Sequence, residues 1–389
     1  MAGKHHRFPQ TDLYCGPGTV EQLGAVADDH DVQNAVIVAG STTASTDAVV
    51  EPILAALGDR LAGVYDGVES HVPTTNVESA IDFAEDRDAD LLVSVGGGSA
   101  HDTAKAISIL GAEGGSPHDY KVVREDGDLV APDLTAPKIP IAAVPTTLSA
   151  AELNGAAAVT DPDTGEKMIV TDEQAIPTAA VYDGEIAVHT PTSIIAATGM
   201  NAIDHTVEML YSRHHTPFTD ATALHGLRML SEHLPRTIEN PDDVEARGDA
   251  LVASALSGFG MEKGVCLNHA ICHVLGGKFG VPHGDANSIV LPHGMRFNLP
   301  ETVERQALIA DALGVAHEAD SDREAAELAI EAIEDLRDEL DAPSSLRETA
   351  VHRADFETIA AEAVQDLPIA NNPRDVTEAD VVTILEAAW

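Results

Sequence analysis

Cysteine, aromatic and basic residues are all scarce in this chain of 389 residues. The three cysteines, Cys15, Cys266 and Cys272, are odd in number and show no CxxC spacing, which argues against a disulfide framework and favours reduced thiols in a cytosol. The N-terminal stretch MAGKHHRFPQ has no apolar h-region, and no apolar run approaches the roughly 20 residues of a membrane span. We therefore expect a cytoplasmic protein that is neither secreted nor inserted in a membrane.

Positive charge is the most marked shortage. Lys and Arg number 22 against 65 Asp and Glu, which gives a formal net charge of −43 at pH 7. Because the acidic residues are spread along the whole chain, the surface should repel nucleic acid and anionic membranes. In 1 M salt the Debye length falls to about 3 Å, and exposed charges stop repelling one another. The composition therefore favours a salt-adapted protein, as in a halophile, over an ordinary acidic one.

The pattern of apolar residues divides the chain into two halves. With 44% hydrophobic residues it can build a large core, and its length suggests two domains. Four apolar runs of the first half, at 34–40, 90–98, 140–147 and 179–184, alternate with amphipathic segments and predict a parallel sheet. Beyond residue 190 the periodicity is helical. We predict an α/β domain over 1–188 and an all-α domain over 189–389.

A glycine-rich segment, VGGGSAHDTAK at 95–105, follows the second apolar run and opens an amphipathic helix. Glycines let backbone amides approach an anion, and a helix N-terminus adds partial positive charge, so the segment suits a pyrophosphate. It is neither the GxGxxG fingerprint nor the Walker pattern, and a plain tight turn is the alternative. Thr146 and Thr147 follow another buried strand, where open α/β sheets bind ligands. The two strand ends together favour a dinucleotide.

Histidines concentrate in the second half. Four fall within 25 positions: His269, His273, His283 and His293. The first two are one helical turn apart, and GGKFGVPHG then breaks the helix and brings back the third. The segment GMNAIDH places Asn201 and His205 on one face of another helix. One amide and three imidazoles could bind Zn²⁺ or Fe²⁺, but an amide attracts a cation less than a carboxylate does, so a site without metal is the alternative.

These segments, in their order and spacing, resemble the iron-containing (group III) alcohol dehydrogenase family. The resemblance runs from about residue 8 to the C-terminus and is carried by GGGSAHDTAK, PTT followed by AE, TDPDTGEKMIV, AATGMNAIDHTVE and NHAICHVLGGKFGVPHGDANSIVLPHGMRFN. It implies a dinucleotide-binding α/β domain followed by a helical domain, the fold shared with dehydroquinate synthase, with the active site in the cleft between them. A small-molecule substrate and a homodimer are expected, without nucleic acid or membrane partners.

The resemblance also assigns residues to ligands. Asn201 stands where the family normally has an aspartate metal ligand, and His205, His269 and His283 match its three histidine ligands. The residues implied to contact NAD(P) are Gly97, Gly98, Ser99 and Asp102 at the pyrophosphate or nicotinamide, Thr146, Thr147 and Leu148 at the phosphate, ribose or adenine, and Lys167 near the ribose. Gly40 ends the first predicted strand, where many members have an acid. Without that carboxylate, NAD(H) and NADP(H) both remain open.

Within the family, the segments GMNAI, YDGVESHVP and CHVLGG are similar to the maleylacetate reductase branch, which is regarded as working without a metal, whereas Asp102 fits the general alcohol dehydrogenase pattern. The expected reaction is hydride transfer from NAD(P)H to an oxo or enone carboxylate, maleylacetate to 3-oxoadipate. In this hypothesis His205, His269 and His283 bind and polarise the substrate, and His273 supplies or relays a proton.

Three other functions remain open on the sequence. In a metal-dependent alcohol dehydrogenase or aldehyde reductase, the Asn201 oxygen binds Zn²⁺ or Fe²⁺ together with the imidazoles. A lyase of the dehydroquinate synthase type, which uses bound NAD transiently, is a more distant alternative. A binding protein that retains only the dinucleotide fold is the last, because a fold alone does not establish a function.

Overall fold

A computed structural model describes residues 10–125 and 128–389. These residues divide into two compact units, the first ending at Thr190 and the second beginning at Pro191. The boundary predicted from the sequence lies between residues 188 and 189. Within the described residues, no helix is both long enough and apolar enough to cross a membrane.

The N-terminal unit is built on a parallel sheet of six strands in the order β1-β10-β7-β4-β2-β3. The strands β2, β4 and β7 are buried along their whole length. Continuous apolar runs of this kind are typical of parallel strands covered on both faces. The strands of the described chain are β1 (Asp12–Cys15), β2 (Ala35–Ala39), β3 (Leu61–Tyr65), β4 (Leu91–Gly96), β5 (Val123–Glu125), β6 (Asp128–Val130), β7 (Ile141–Pro145), β8 (Ala156–Thr160), β9 (Lys167–Thr171) and β10 (Ala179–Tyr182).

Helices cover both faces of this sheet. One face packs against α1 and α3, and the other packs against α4 and α5. Two antiparallel hairpins, β5-β6 and β8-β9, lie outside the main sheet. The α-helices of this unit are α1 (Leu23–Asp29), α2 (Ser41–Ala44), α3 (Asp47–Leu57), α4 (Thr74–Glu85), α5 (Gly98–Glu113), α6 (Pro117–Tyr120) and α7 (Gly184–Ala187).

One predicted helix is too long. The sequence predicts a helix over 49–61, but α3 ends at Leu57 and Leu61 begins β3. Gly58 stops the helix, because its φ of 57° lies in the left-handed region that glycine adopts without strain. The sequence predicts a loop or a small hairpin within 113–138, and the structure has a hairpin there, β5-β6.

The C-terminal unit is helical, as predicted, and is arranged around α8. Every residue from Gly199 to Tyr211 is buried, so this helix is surrounded by protein on all sides. A Cβ on Gly284 would lie 1.9 Å from the Ala197 carbonyl oxygen, so only glycine lets α13 start so close to α8. The helices of this unit are α8 (Thr192–Tyr211), α9 (Pro217–Glu239), α10 (Val244–Gly258), α11 (Met261–Gly264), α12 (Leu267–Phe279), α13 (His283–Ala312), α14 (Asp322–Glu339), α15 (Phe356–Ala363) and α16 (Glu378–Ala387).

Candidate functional site

The glycine-rich segment forms an open turn between β4 and α5. Gly96 has a φ of 139°, a conformation that L side chains rarely adopt. A Cβ on Gly97 would come 2.9 Å from Thr147 Oγ1, so a side chain there would close the space between the two strand ends. Gly98 and Ser99 begin α5, whose first amides have no acceptor within the helix and can bind an anion.

Thr146 and Thr147 stand beside this turn. Their loop is fixed by a hydrogen bond of 2.8 Å from the Thr146 backbone N–H to the Gly96 carbonyl. The Thr147 Oγ1 atom is buried and has no hydrogen-bond partner among the described residues, while Leu148 is fully buried. A bare turn, a helix N-terminus and an unpaired hydroxyl together fit the phosphates of a dinucleotide.

Asp102 makes contacts within the N-terminal unit that fix the position of α5. Its Oδ1 lies 2.8 Å from Lys105 Nζ, and its Oδ2 accepts from the Ala158 backbone N–H at 3.2 Å. Lys105 is fully buried and also donates to the Ala151 carbonyl at 3.0 Å. The pair therefore ties α5 to the loop after β7 and to β8. Lys105 was not singled out from the sequence, although its spacing from Asp102 puts both on one face of the helix.

Two predicted cofactor residues lie elsewhere in this unit. Gly40 follows β2 and forms an isolated bridge with Gly67. Lys167 begins β9, and its side chain is exposed. Contact of either residue with a dinucleotide remains a prediction.

Four histidines of the C-terminal unit form one cluster across α8, α12 and α13. The ring centroids of His205 and His269 are 4.9 Å apart, and those of His269 and His283 are 5.2 Å apart. His273 lies 5.6 Å from His283 and 6.0 Å from His269. His293 lies instead near Arg296, and burial is the main cause that lowers its pKa to about 4.

The donor set fits a divalent cation. Imidazole nitrogens and an amide oxygen are donor types that Zn²⁺ and Fe²⁺ accept. The buried His269 Nε2 has no hydrogen-bond partner among the described residues. Asn201 Oδ1 accepts from Asn287 Nδ2 at 2.8 Å, which leaves its second lone pair for another contact.

The ligand atoms that already lie within 4.8 Å of one another form a different group. Within residues 10–125 and 128–389, the one such trio of His, Cys, Asp or Glu side chains is Asp204, Glu208 and His269. Both carboxylates face His269 Nδ1, with Glu208 Oε2 at 3.1 Å and Asp204 in closer contact. A carboxylate on Nδ1 orients a metal-binding histidine and leaves Nε2 free for the ion.

Glu208 also holds the start of α12. Its two oxygens accept from the backbone N–H groups of Cys266 at 2.6 Å and Asn268 at 2.9 Å. Asn268 Nδ2 in turn donates to Asp204 Oδ1 at 2.5 Å. Neither acid was predicted from the sequence, where their one available signal is their i, i+4 spacing on the helix that carries His205.

The tautomer of His205 follows from its neighbours. The Ser257 hydroxyl donates to the Ser254 carbonyl at 2.7 Å, so it can only accept from His205 Nδ1 at 3.3 Å. Nε2 of His205 is then the unprotonated nitrogen. Burial, and next the charge of His269, lower the pKa of His205 well below its usual value, which keeps this ring neutral.

The charges around His269 oppose one another. Burial disfavours its cation, but the nearby carboxylates outweigh burial and raise its pKa to about 10. Burial, together with the charge of Glu208, raises the pKa of Asp204 to about 7. The carboxylates of Asp204 and Glu208 thus supply negative charge on the Nδ1 side of His269. The neutral amide of Asn201 adds no charge to the cluster.

His273 has a carboxylate partner of its own. Its Nδ1 lies 2.6 Å from Asp366 Oδ2, and its side chain is 36% exposed. A half-exposed imidazole held by a carboxylate suits proton exchange with solvent. Asp366 is 93 residues away in the chain and carries no sequence signal for this role.

A glycine-lined turn that suits a dinucleotide in one unit and clustered imidazoles in the other are features expected of an oxidoreductase that uses a nicotinamide dinucleotide. Residues 10–184 match the family described as iron-containing alcohol dehydrogenase, and residues 195–389 match the C-terminal part described for the same family. The chain belongs to the iron-containing alcohol dehydrogenase family.

Relatives with assigned activities are similar over most of the chain. A NAD-dependent methanol dehydrogenase of Bacillus methanolicus is 34% identical over 379 residues, which cover 96% of this chain and 97% of the relative. A lactaldehyde reductase of Escherichia coli K12 is 32% identical, with 94% and 96% covered. The solved structure of a 1,3-propanediol oxidoreductase is 30% identical, with a TM-score of 0.93 and both chains fully covered.

Maleylacetate reductases are more distant. The structure of the enzyme from Agrobacterium tumefaciens is 24% identical, with a TM-score of 0.82 and coverage of 100% of this chain and 99% of the other. Similarity at this level shows the fold alone. The expected maleylacetate specificity therefore gains no specific support, and the metal-dependent alternative fits the relatives better.

Proposed function

We propose that this protein is a NAD-dependent alcohol dehydrogenase and aldehyde reductase for small substrates, with a divalent Zn²⁺ or Fe²⁺ ion held by Asn201, His205, His269 and His283. The observation that supports the proposal is the hydrogen bonding of two imidazole rings, those of His205 and His269. His205 and His269 each have Nδ1 held by a polar partner. Nε2 is therefore the nitrogen that each of these rings offers to an ion.

The reaction joins a hydride and a proton to an aldehyde and gives a primary alcohol and the oxidised dinucleotide. A bound divalent ion supplies Lewis-acid polarisation of the carbonyl oxygen. The residues around Gly97 and Thr147 hold the dinucleotide that carries the hydride. His273, oriented by Asp366, exchanges with solvent the proton that the alcohol oxygen gains or loses.

The relatives support the substrate class. The relatives named for activity on methanol, 1,3-propanediol and lactaldehyde share the use of short, uncharged alcohols or aldehydes. Such substrates avoid the repulsion that an anionic substrate meets at a chain with a net charge of −43. This charge favours an uncharged substrate over a dicarboxylate.

A second candidate function is that of a maleylacetate reductase that works without a metal. Asn201 contributes a neutral oxygen that already accepts a hydrogen bond from Asn287. If the imidazoles hold no ion, they can bind an oxo-carboxylate directly, and charge that develops as an enolate is stabilised by hydrogen-bond donors.

One assay separates these candidates. NADH oxidation is measured with a short aldehyde and with maleylacetate, before and after chelation and again after Zn²⁺ or Fe²⁺ is returned. We expect aldehyde turnover that chelation abolishes and the metal restores. Chelator-resistant turnover of maleylacetate alone would support the second candidate, and product formation without net NADH loss would indicate lyase chemistry.

We further propose a homodimer that works in concentrated salt. The dimer is what the resemblance to the family implies, and the salt dependence is supported by the net charge of −43, whose self-repulsion salt screens. Light scattering and thermal unfolding over a KCl series test both points: we expect a dimer whose melting temperature rises with salt, and a monomer with a flat salt response would contradict the proposal.

A further inference from the structure

The proposed metal ligands carry no charge of their own. They are the amide oxygen of Asn201 and the imidazoles of His205, His269 and His283. Because Asn201, His205 and His269 are buried, a divalent ion among them would keep its positive charge in a region from which water is largely excluded. An uncompensated charge in such surroundings is costly. The candidate site therefore needs negative charge from residues behind its direct ligands.

Two buried carboxylates, Asp204 and Glu208, face His269 Nδ1, and their other contacts differ. Glu208 Oε2 lies 3.1 Å from Nδ1 and already accepts the Cys266 backbone N–H at 2.6 Å, while Oε1 accepts the Asn268 backbone N–H at 2.9 Å. Asp204 is in closer contact with Nδ1. Since Nδ1 carries a single proton when Nε2 binds an ion, the closer carboxylate is its acceptor. Glu208 thus chiefly holds α12, whereas Asp204 orients the ring.

Asp204 is also joined to Asn201 through two buried amides. Its Oδ1 accepts from Asn268 Nδ2 at 2.5 Å, and the same Nδ2 lies 3.4 Å from Asn287 Oδ1. Asn287 Nδ2 then donates to Asn201 Oδ1 at 2.8 Å. An ionised carboxylate can only accept, so Asp204 turns the NH₂ group of Asn268 towards itself. That orientation fixes those of the next two amides, and with them the position of the Asn201 oxygen, the atom that a metal can bind.

We propose that Asp204 is the positioning residue of the metal site: it orients His269 and Asn201 and supplies negative charge that the ligands lack. It acts on His269 directly and on Asn201 through Asn268 and Asn287. The inference rests on the metal use in the proposed function and deepens it, because it names a residue outside the ligand set on which metal affinity depends. Loss of such a partner typically weakens metal binding about 10–100-fold.

The test is a double-mutant cycle that measures the Zn²⁺ dissociation constant of the full chain by competition with a chromogenic chelator, without dinucleotide or substrate. Asp204→Asn keeps the size of the side chain and removes its charge, so we expect binding about 10–100-fold weaker. Asn201→Asp puts a carboxylate directly on the ion, and its gain in affinity should be larger in the Asp204→Asn background than in wild type. The visible spectrum of bound Co²⁺, which reports ligand geometry, should change in Asp204→Asn; a merely structural role would leave it unchanged.

Glu152→Gln is the matched control. Glu152 is a fully buried carboxylate of the N-terminal unit, and its neutralisation should leave the Zn²⁺ dissociation constant and the Co²⁺ spectrum unchanged. If Asp204→Asn does not fold, Asp204→Glu replaces it: this variant keeps the charge but shifts the carboxylate by one methylene, and we expect binding about tenfold weaker with a changed Co²⁺ spectrum.

The outcomes separate this inference from the proposed function. Wild-type Zn²⁺ affinity in the Asp204 variants, additive effects in the cycle, or an equal loss of affinity in Glu152→Gln would overturn the inference alone. A wild-type protein that binds neither Zn²⁺ nor Fe²⁺ would overturn the proposed function as well.

Discussion

Glu208 offers the sharpest test of how the histidine cluster is held. Its carboxylate is fully buried and accepts from three donors, the Cys266 and Asn268 backbone N–H groups and His269 Nδ1. In Glu208→Gln one carboxylate oxygen becomes an NH₂ group that faces a donor. At least one buried donor then loses its acceptor, which costs about 1–3 kcal/mol, and the bonds that remain lose their charge-assisted part.

Together these losses predict that the free energy of unfolding falls by about 3–5 kcal/mol. Urea unfolding of wild type and variant, with the slope m checked for constancy, measures this difference. The control is Glu331→Gln, an exposed residue of α14, for which we expect a change within about 0.5 kcal/mol. A loss below about 1 kcal/mol for Glu208→Gln would refute the view that this carboxylate fixes the start of α12.

Three further predictions follow from other residues. Burial is the main cause that lowers the pKa of His101 from 6.5 to about 3. As the pH falls below 6.5, the unfolded chain therefore binds a proton at this residue that the folded chain does not bind until about pH 3. Stability therefore falls with acidification between those values, and His101→Leu should remove about 2 kcal/mol of the loss between about pH 6.5 and pH 4.5; equal pH slopes of the unfolding free energy for both proteins would contradict this. Gly97→Ala places a Cβ 2.9 Å from Thr147 Oγ1 and should weaken NADH binding at least about tenfold in a fluorescence titration, with Gly277→Ala, which has open space, as the unaffected control. His273→Gln should lower kcat about 10²-fold or more and flatten its pH profile, while NADH affinity is unchanged; an unaltered kcat would remove His273 from proton transfer.

Much of the fold could be predicted because it depends on local patterns. The apolar runs that form β2, β4, β7 and β10 are continuous and bounded by turn residues, so each strand can be recognised from its own residues alone. The strand β1 was missed because it is a short edge strand with mostly exposed residues. The strand β3 was missed because the apolar pattern of α3 runs on into it, although the positive φ of Gly58 ends the helix and a 3₁₀ turn, Gly58–Arg60, leads into the strand.

The candidate site, like the fold, could be predicted from the sequence only in part. The spacing of His269 and His273 on one helix, and the break before His283, indicated a cluster, and the structure brings these rings together. The partners that orient the rings come from distant segments: Glu208 lies 61 residues from His269, and Asp366 lies 93 residues from His273. Such pairs are set by how helices pack, and no short-range pattern encodes them.

The most direct test of the account is the position of the metal. Crystals grown with Zn²⁺ and measured by anomalous diffraction should show one peak within about 2.0–2.2 Å of Nε2 of His205, His269 and His283, with the Asn201 oxygen as a further ligand. A peak on the other side of His269, between Asp204 and Glu208, would contradict the proposed ligand set, as would a cluster that stays free of metal in an enzyme with full aldehyde turnover.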